Sequence, residues 1–224
     1  MRKKMLKAVI FDFDGTLADT LPLCIKAFRM AIEPHLKRTV SDAEIIATFG
    51  PSEEGTIQSL IPDQFTEGLS AYHDYYTMFH PEFPTLFEGV AEILTLLREN
   101  RIRLALVTGK ALKSALISLE FYQIKDYFEQ IGYGDLTKGH KAKNIQRILA
   151  EWTLQPHEAV YVGDAPSDIA ACRAAGVPIL AAAWAPTAEP DVLRSLEPDA
   201  LLYSVDELKR WLTDRLENDK PTSE

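Results

Sequence analysis

The residues from Phe11 to Thr20 read FDFDGTLADT, and they limit the fold more than any other stretch. Ala8-Val9-Ile10-Phe11 is a short apolar run rich in strand formers. A run without polar alternation fits a strand enclosed on both faces, as in a parallel sheet. Asp12 and Asp14 then fall where that strand ends, close together and facing the same way. Like charges in such a place are costly unless a cation or a reaction requires them.

Composition narrows the function. The chain has 224 residues and a formal net charge of -9, against the basic face that nucleic-acid binding needs. A phosphorylated ligand must therefore be drawn in by local positive groups or a metal. Cys24 and Cys172 are too isolated for a disulfide framework or a zinc site. The basic start Met1-Arg2-Lys3-Lys4 is followed by an apolar run that Asp12 cuts short, too short for a signal peptide. No run reaches membrane-spanning length. The expectation is a cytoplasmic protein with no membrane or nucleic-acid partner.

Four more apolar runs resemble the first: Leu104–Val107, Glu129–Tyr133, Ala159–Val162 and Val177–Ala181. Helical patterns lie between them. Val90, Ile93, Leu94 and Leu97 share one face, as do Ile145, Ile148, Leu149 and Trp152. Alternating strands and helices predict an α/β fold, a Rossmann-like doubly wound parallel sheet. One spacing breaks the alternation: the stretch from about Leu17 to Thr85 is far longer than a crossover between two strands requires. It has helical stripes of its own, Leu21-Ile25-Phe28-Ile32 and Phe65-Leu69-Tyr72-Tyr76-Phe79. A small helical cap is therefore predicted directly after the acidic loop, placed to act as a lid. The expected division is a discontinuous core (1–16 and 86–216), a cap (17–85) and a flexible tail (217–224).

Ligands of such a sheet bind beyond the carboxyl ends of its strands. Three strands end there in reactive residues: Asp12-Phe13-Asp14-Gly15-Thr16, Thr108-Gly109-Lys110, and Gly163-Asp164-Ala165-Pro166-Ser167-Asp168. Lys141, in TKGHKAKNIQRIL, opens a helix predicted over Ala142–Trp152. Asp12, Asp14 and Asp164 crowd negative charge that a hard divalent cation neutralises, and oxygen-only ligands fit Mg2+. A carboxylate attacks phosphorus to give an acyl phosphate. A second one nearby protonates the leaving oxygen and then activates water. Thr108 and a lysine hold the phosphoryl oxygens.

FDFDGTLADT, VTGK, KAKNIQRIL and VGDAPSDIAACRAAG resemble, in order and spacing, the four motifs of the haloacid dehalogenase superfamily in its phosphatase branch. The resemblance covers nearly the whole chain. It implies Asp12 as nucleophile and Asp14 as general acid and base, with the Asp14 backbone carbonyl also touching Mg2+. It further implies Asp12 and Asp164 as side-chain metal ligands supported by Asp168, and Thr108, Gly109 (through its backbone) and Lys141 as phosphate-binding groups. Lys138 and Lys143 compete with Lys141. Lys141 is preferred because it stands twenty-three residues before Asp164 and sets Ile145 and Ile148 on the buried face. Glycine at 109, where the family often has a small polar residue, removes a side-chain contact. FGPSEEGTIQSL and PDALLYSVDELKRWL most resemble phosphoglycolate phosphatases and related pyrophosphatases. The implied substrate is a small phosphorylated metabolite, either a phosphoglycolate-like ester or pyrophosphate, handled by a monomer or homodimer. Lys26, Arg29, Glu53 and His73 are the cap residues considered for specificity.

Rival readings fit less well. An EF-hand counted from Asp12 wants glycine sixth and an acid twelfth, where Leu17 and Leu23 stand. Asp164 also reads as a helix N-cap before Pro166. A signalling receiver domain lacks the helical insert. A β-phosphoglucomutase-like sugar phosphomutase is the stronger rival, but its cap must hold a sugar phosphate while it turns, and GPSEEGT offers acids and no arginine. A dehalogenase or a non-catalytic binding module has no need of Asp14.

Overall fold

The computed structural model describes residues 5–136 and 140–219. In chain order the elements are β1 (Ala8–Phe11), α1 (Leu21–Leu36), α2 (Asp42–Ile46), α3 (Glu53–Leu60), α4 (Phe65–Phe79), α5 (Val90–Glu99), β2 (Arg103–Val107) and α6 (Leu112–Phe121). Next come β3 (Gln130–Gly132), α7 (His140–Trp152), β4 (Ala159–Gly163), α8 (Pro166–Ala175), β5 (Ile179–Ala182), α9 (Pro190–Ser195), β6 (Ala200–Leu202) and α10 (Val205–Asp219).

The strands form one parallel sheet in the order β3-β2-β1-β4-β5-β6. All four residues of β1 are buried because helices cover both faces. Val9, Phe11, Leu104, Leu106, Val160 and Val162 pack on one side with α5 and α10. Ala8, Ile10, Ala105, Val107, Ala159 and Tyr161 pack on the other with α7 and α8. Burial at roughly 25 cal/mol per Å2 makes these two clusters the main stabilising term.

The order reverses direction around β1, where a doubly wound sheet opens its binding crevice. Phe11 is in register with Leu106 on one side and Val162 on the other. The loops after these three strands therefore emerge side by side. A third apolar cluster joins α1 to α4 through Phe28, Ile32, Ile45, Ile57, Tyr72 and Tyr76. Its two connections to the sheet run together, with the Phe87 N–H bonded to the Leu17 carbonyl at 3.0 Å. Among the described residues, no helix is long and apolar enough to cross a membrane.

The structure departs from the sequence reading at several ends. β6 is an additional strand, three residues long on the sheet edge, too short to signal itself. β5 begins at Ile179 rather than Val177, since Pro178 has no N–H and only its carbonyl pairs, accepting from Tyr161 at 2.9 Å. α7 starts at His140, two residues before the expected Ala142. α10 continues through Asp219, so the first three residues of the expected flexible tail are helical.

Candidate active site

Asp12 directly succeeds the central strand and is 5% exposed. Its own N–H bonds the Val162 carbonyl at 2.9 Å, and its Oδ1 accepts the Phe13 N–H at 2.7 Å. The second oxygen faces Lys141, whose Nζ lies 2.5 Å away. The chain then turns sharply at Gly15, which has a φ of +73°. A Cβ built on Gly15 falls 2.1 Å from an Asp164 carboxylate oxygen. Glycine is required there by both the dihedral and the close approach. The indole N–H of Trp184 braces the same loop from just beyond β5, donating to the Thr16 carbonyl at 3.2 Å.

Lys141 sits in the first turn of α7 and bridges two acids, with Asp168 Oδ1 also 2.5 Å from its Nζ. Burial works against its charge, but Asp12 and Asp168 outweigh that and hold the ammonium above its ordinary range. Asp168 is fully buried and engaged on both oxygens. Oδ1 also takes the Tyr161 hydroxyl at 3.1 Å, and Oδ2 the Ala165 N–H at 3.0 Å, closing the start of α8. Asp168 thus orients Lys141. Lys143 is exposed, and Lys138 lies outside the described residues.

Lys141→Ala is expected to cost roughly 10²–10³ in kcat, the scale of losing one positioned charge-stabilising donor. It should also cost about 3 kcal/mol of stability, since it strips the partner from buried acids. Lys143→Ala should change neither measurably. Initial rates and thermal melts of the two variants decide this, and equal losses would contradict the placement of Lys141.

Carboxylate oxygens of Asp12, Asp164 and Asp168 lie within 4.8 Å of one another. Thr16 donates to Asp164 Oδ1 at 3.1 Å. Burial first, and then the charges of Asp12 and Asp168, push the Asp164 carboxyl well above the usual carboxylate range. Burial likewise raises Asp12 to about 6, against the pull of Lys141. Carboxylates so reluctant to be charged are those that a divalent cation stabilises, and the all-oxygen donor set suits a hard one. The acidic cluster therefore fits a metal site.

The Asp14 side chain, expected to crowd with Asp12 and Asp164, is not part of this cluster. Its Oδ1 accepts the Thr20 hydroxyl at 2.5 Å and lies 3.0 Å from Lys110 Nζ. Thr108 is fully buried at the end of β2, with its hydroxyl toward the Lys110 N–H at 3.4 Å. A Cβ built on Gly109 meets no atom of the described residues within 4 Å. Asp14, Gly109 and Lys110 line a cavity of about 160 Å3, closed on the helical side by Leu21, Cys24, Phe28 and Tyr72.

Lys110 is a site residue to which the sequence reading gave no role. It is 4% exposed, with the Tyr76 ring 4.7 Å and Cys24 Sγ 3.1 Å from its Nζ. Its only sequence signal is its place directly after Thr108-Gly109 at a strand end. Of the cap residues considered for specificity, Glu53 lines the cavity. Lys26 instead pairs with Glu82, and Arg29 with Asp42, toward solvent. His73 is buried, and burial first, then Lys113, lowers its pKa to about 4.

A parallel sheet with three acids and a lysine at its crevice, entered beneath an inserted helical unit, defines a class of hydrolase. The chain belongs to the haloacid dehalogenase-like hydrolases, whose family pattern it matches over residues 9–182. It is an enzyme, a phosphatase of that family. It is 30% identical to the pyrophosphatase PpaX of Bacillus pumilus, over 93% of this chain and 97% of the relative. A relative from Caldanaerobacter subterraneus subsp. tengcongensis that carries the PpaX name provisionally is 34% identical over 80% of this chain and 82% of its own. The solved structure of a haloacid dehalogenase-like hydrolase from Streptococcus pneumoniae superposes with a TM-score of 0.75 at 27% identity, covering 92% of this chain and 98% of that one.

Proposed function

We propose that the chain is a magnesium-dependent phosphohydrolase that cleaves a small phosphate monoester, in the cytoplasm, through an aspartyl-phosphate on Asp12. The observation that carries this reading is the Asp12 carboxylate itself. It is fixed between Lys141 and two further acids, and Asp14 stands two residues on in the lining of a small cavity.

The chemistry is set by these positions. A carboxylate oxygen of Asp12 attacks phosphorus, and the ester oxygen leaves with a proton from Asp14. Asp14 then takes a proton from water, which attacks the phosphorus of the acyl phosphate and releases phosphate and free Asp12. Lys141, the Thr108 hydroxyl and the Gly109 N–H hold the phosphoryl oxygens, while Asp168 and Tyr161 keep Lys141 aimed. Mg2+ held by Asp12, Asp164 and the Asp14 carbonyl, with Asp168 behind them, would supply positive charge at the transferring group. The α1–α4 unit acts as a cap, bringing apolar side chains over the cavity and keeping bulk water from the acyl phosphate.

A second reading, hydrolysis of pyrophosphate, is favoured by the PpaX relatives. Phosphate release from a panel of phosphometabolites and pyrophosphate, with and without Mg2+, tests both. Excess chelator should abolish turnover and added Mg2+ restore it, while Ca2+ should support little because its looser coordination misplaces the attacking oxygen. Full activity in chelator would contradict the metal assignment.

A further inference from the structure

Glu53 opens α3 of the helical unit, yet its carboxylate is spent on the core. One oxygen accepts the Ala111 N–H at 2.8 Å and the other the Ser114 hydroxyl. Ala111 stands at the start of α6, a ten-residue helix with no side-chain cap from its own sequence. A helix start offers free N–H groups and the positive end of the helix dipole, and so receives anions. Lys110 is the adjacent residue, and Asp14 lies against its ammonium.

A free N–H, a hydroxyl and a neighbouring ammonium are the groups that would receive a carboxylate or second phosphate on the substrate's leaving group. Here the chain fills that position with an acid of its own. Among the described residues, the cavity lining holds no charged side chain apart from Asp14, Glu53 and Lys110, and five of the ten that line it are Leu21, Cys24, Phe28, Phe49 and Tyr72. Its volume of about 160 Å3 resembles that of the engineered apolar cavity, roughly 150 Å3, that binds benzene. A group the size of benzene, about six non-hydrogen atoms, fits such a volume.

The segment carrying Glu53 is seated firmly on the core. The Ser52 N–H bonds the Asp135 carbonyl at 2.9 Å, and a Cβ on Gly55 would fall 2.9 Å from the Leu136 carbonyl oxygen. Glu53 therefore reaches the core together with the docked helical unit.

We propose that Glu53 is a specificity-determining residue that excludes negatively charged leaving groups and restricts the enzyme to phosphate esters of small uncharged alcohols. The proposal rests on the phosphohydrolase reading and narrows it, against pyrophosphate and phosphoglycolate. An anionic leaving group meets a filled anion position and a like charge in a largely apolar cavity, where such repulsion is poorly screened. An uncharged alcohol meets neither.

The test compares 2-hydroxyethyl phosphate with 2-phosphoglycolate, which differ by a hydroxymethyl group against a carboxylate, and adds pyrophosphate, all at saturating Mg2+. The wild-type enzyme should favour the uncharged ester at least tenfold in kcat/KM. E53A should lower that preference at least tenfold, mainly through a smaller KM for 2-phosphoglycolate, and added formate should restore it by refilling the anion position. E53Q keeps the shape and loses the charge, and should shift the preference in the same direction even if E53A folds poorly. A wild-type preference for 2-phosphoglycolate or pyrophosphate, or a ratio unchanged in both variants, overturns the proposal. Wild-type turnover of phenyl phosphate in the same assay separates the readings. If it is present, the loss falls on Glu53 alone; if it and all three of the other substrates are inert, the phosphohydrolase reading fails and takes this proposal with it.

Discussion

Asp12→Asn is expected to lower phosphate release by roughly 10⁴-fold or more, the scale on which removing a nucleophile that works as part of a unit is felt. The amide has nearly the same shape and a far weaker nucleophilic oxygen. The fold should survive. The asparagine oxygen can still accept the Phe13 N–H, and Lys141 keeps its contact with Asp168 when the Asp12 charge is gone. One fewer buried acid also relieves the repulsion that raises the Asp164 carboxyl. Circular dichroism and a thermal melt should match the wild type within a few degrees, while the rate assay falls to background. Near-wild-type rates from a folded variant would end the covalent mechanism.

Much of this site was legible in the sequence because its parts obey local rules. The run Ala8–Phe11 announced a fully enclosed strand, and the loop after it had to lie at the sheet's carboxyl edge. Ile145 and Ile148 fixed the face of α7 and so directed Lys141 rather than Lys143 inward. The two stripes of the helical insert mark helices that do pack together, with Phe28 and Tyr72 rings 4.4 Å apart.

The features that stayed hidden depend on contacts between elements. Lys110 stands at a strand end the sequence marks as reactive, but its partners, the Tyr76 ring and Cys24 brought over from the insert, are not legible there. Tyr161 reads as a core aromatic, while its hydroxyl joins the Val107 carbonyl to Asp168 across two strands. Glu53 is among the cap candidates named from the sequence, but its partners are not legible there. An acid in a first turn is expected to serve its own helix dipole, whereas this one caps α6 in a different part of the fold. β6, a three-residue edge strand, carries too little apolar length to be seen at all.

In this mechanism Asp12 is phosphorylated and Asp14 completes the cycle. Asp14 has two tasks, protonating the departing oxygen and taking a proton from water. Its position suits both, in the cavity lining and held by Thr20 and Lys110. Phenolate is stable enough to leave without the first task, so phenyl phosphate isolates the second. In Asp14→Asn, an amide replaces the base, and general-base catalysis of the hydrolysis step, worth typically 10²–10⁴-fold, is lost. Mixing this variant with phenyl phosphate at saturating Mg2+, and monitoring phenol together with intact protein mass, reads both steps at once. The expected result is a burst of up to one equivalent of phenol per enzyme, then near-silence, with one phosphate added to the protein and absent when Asp12 is also replaced by asparagine. Sustained multiple turnover with no added mass would contradict it, because the water would then be activated by another group and Asp14 would be only structural.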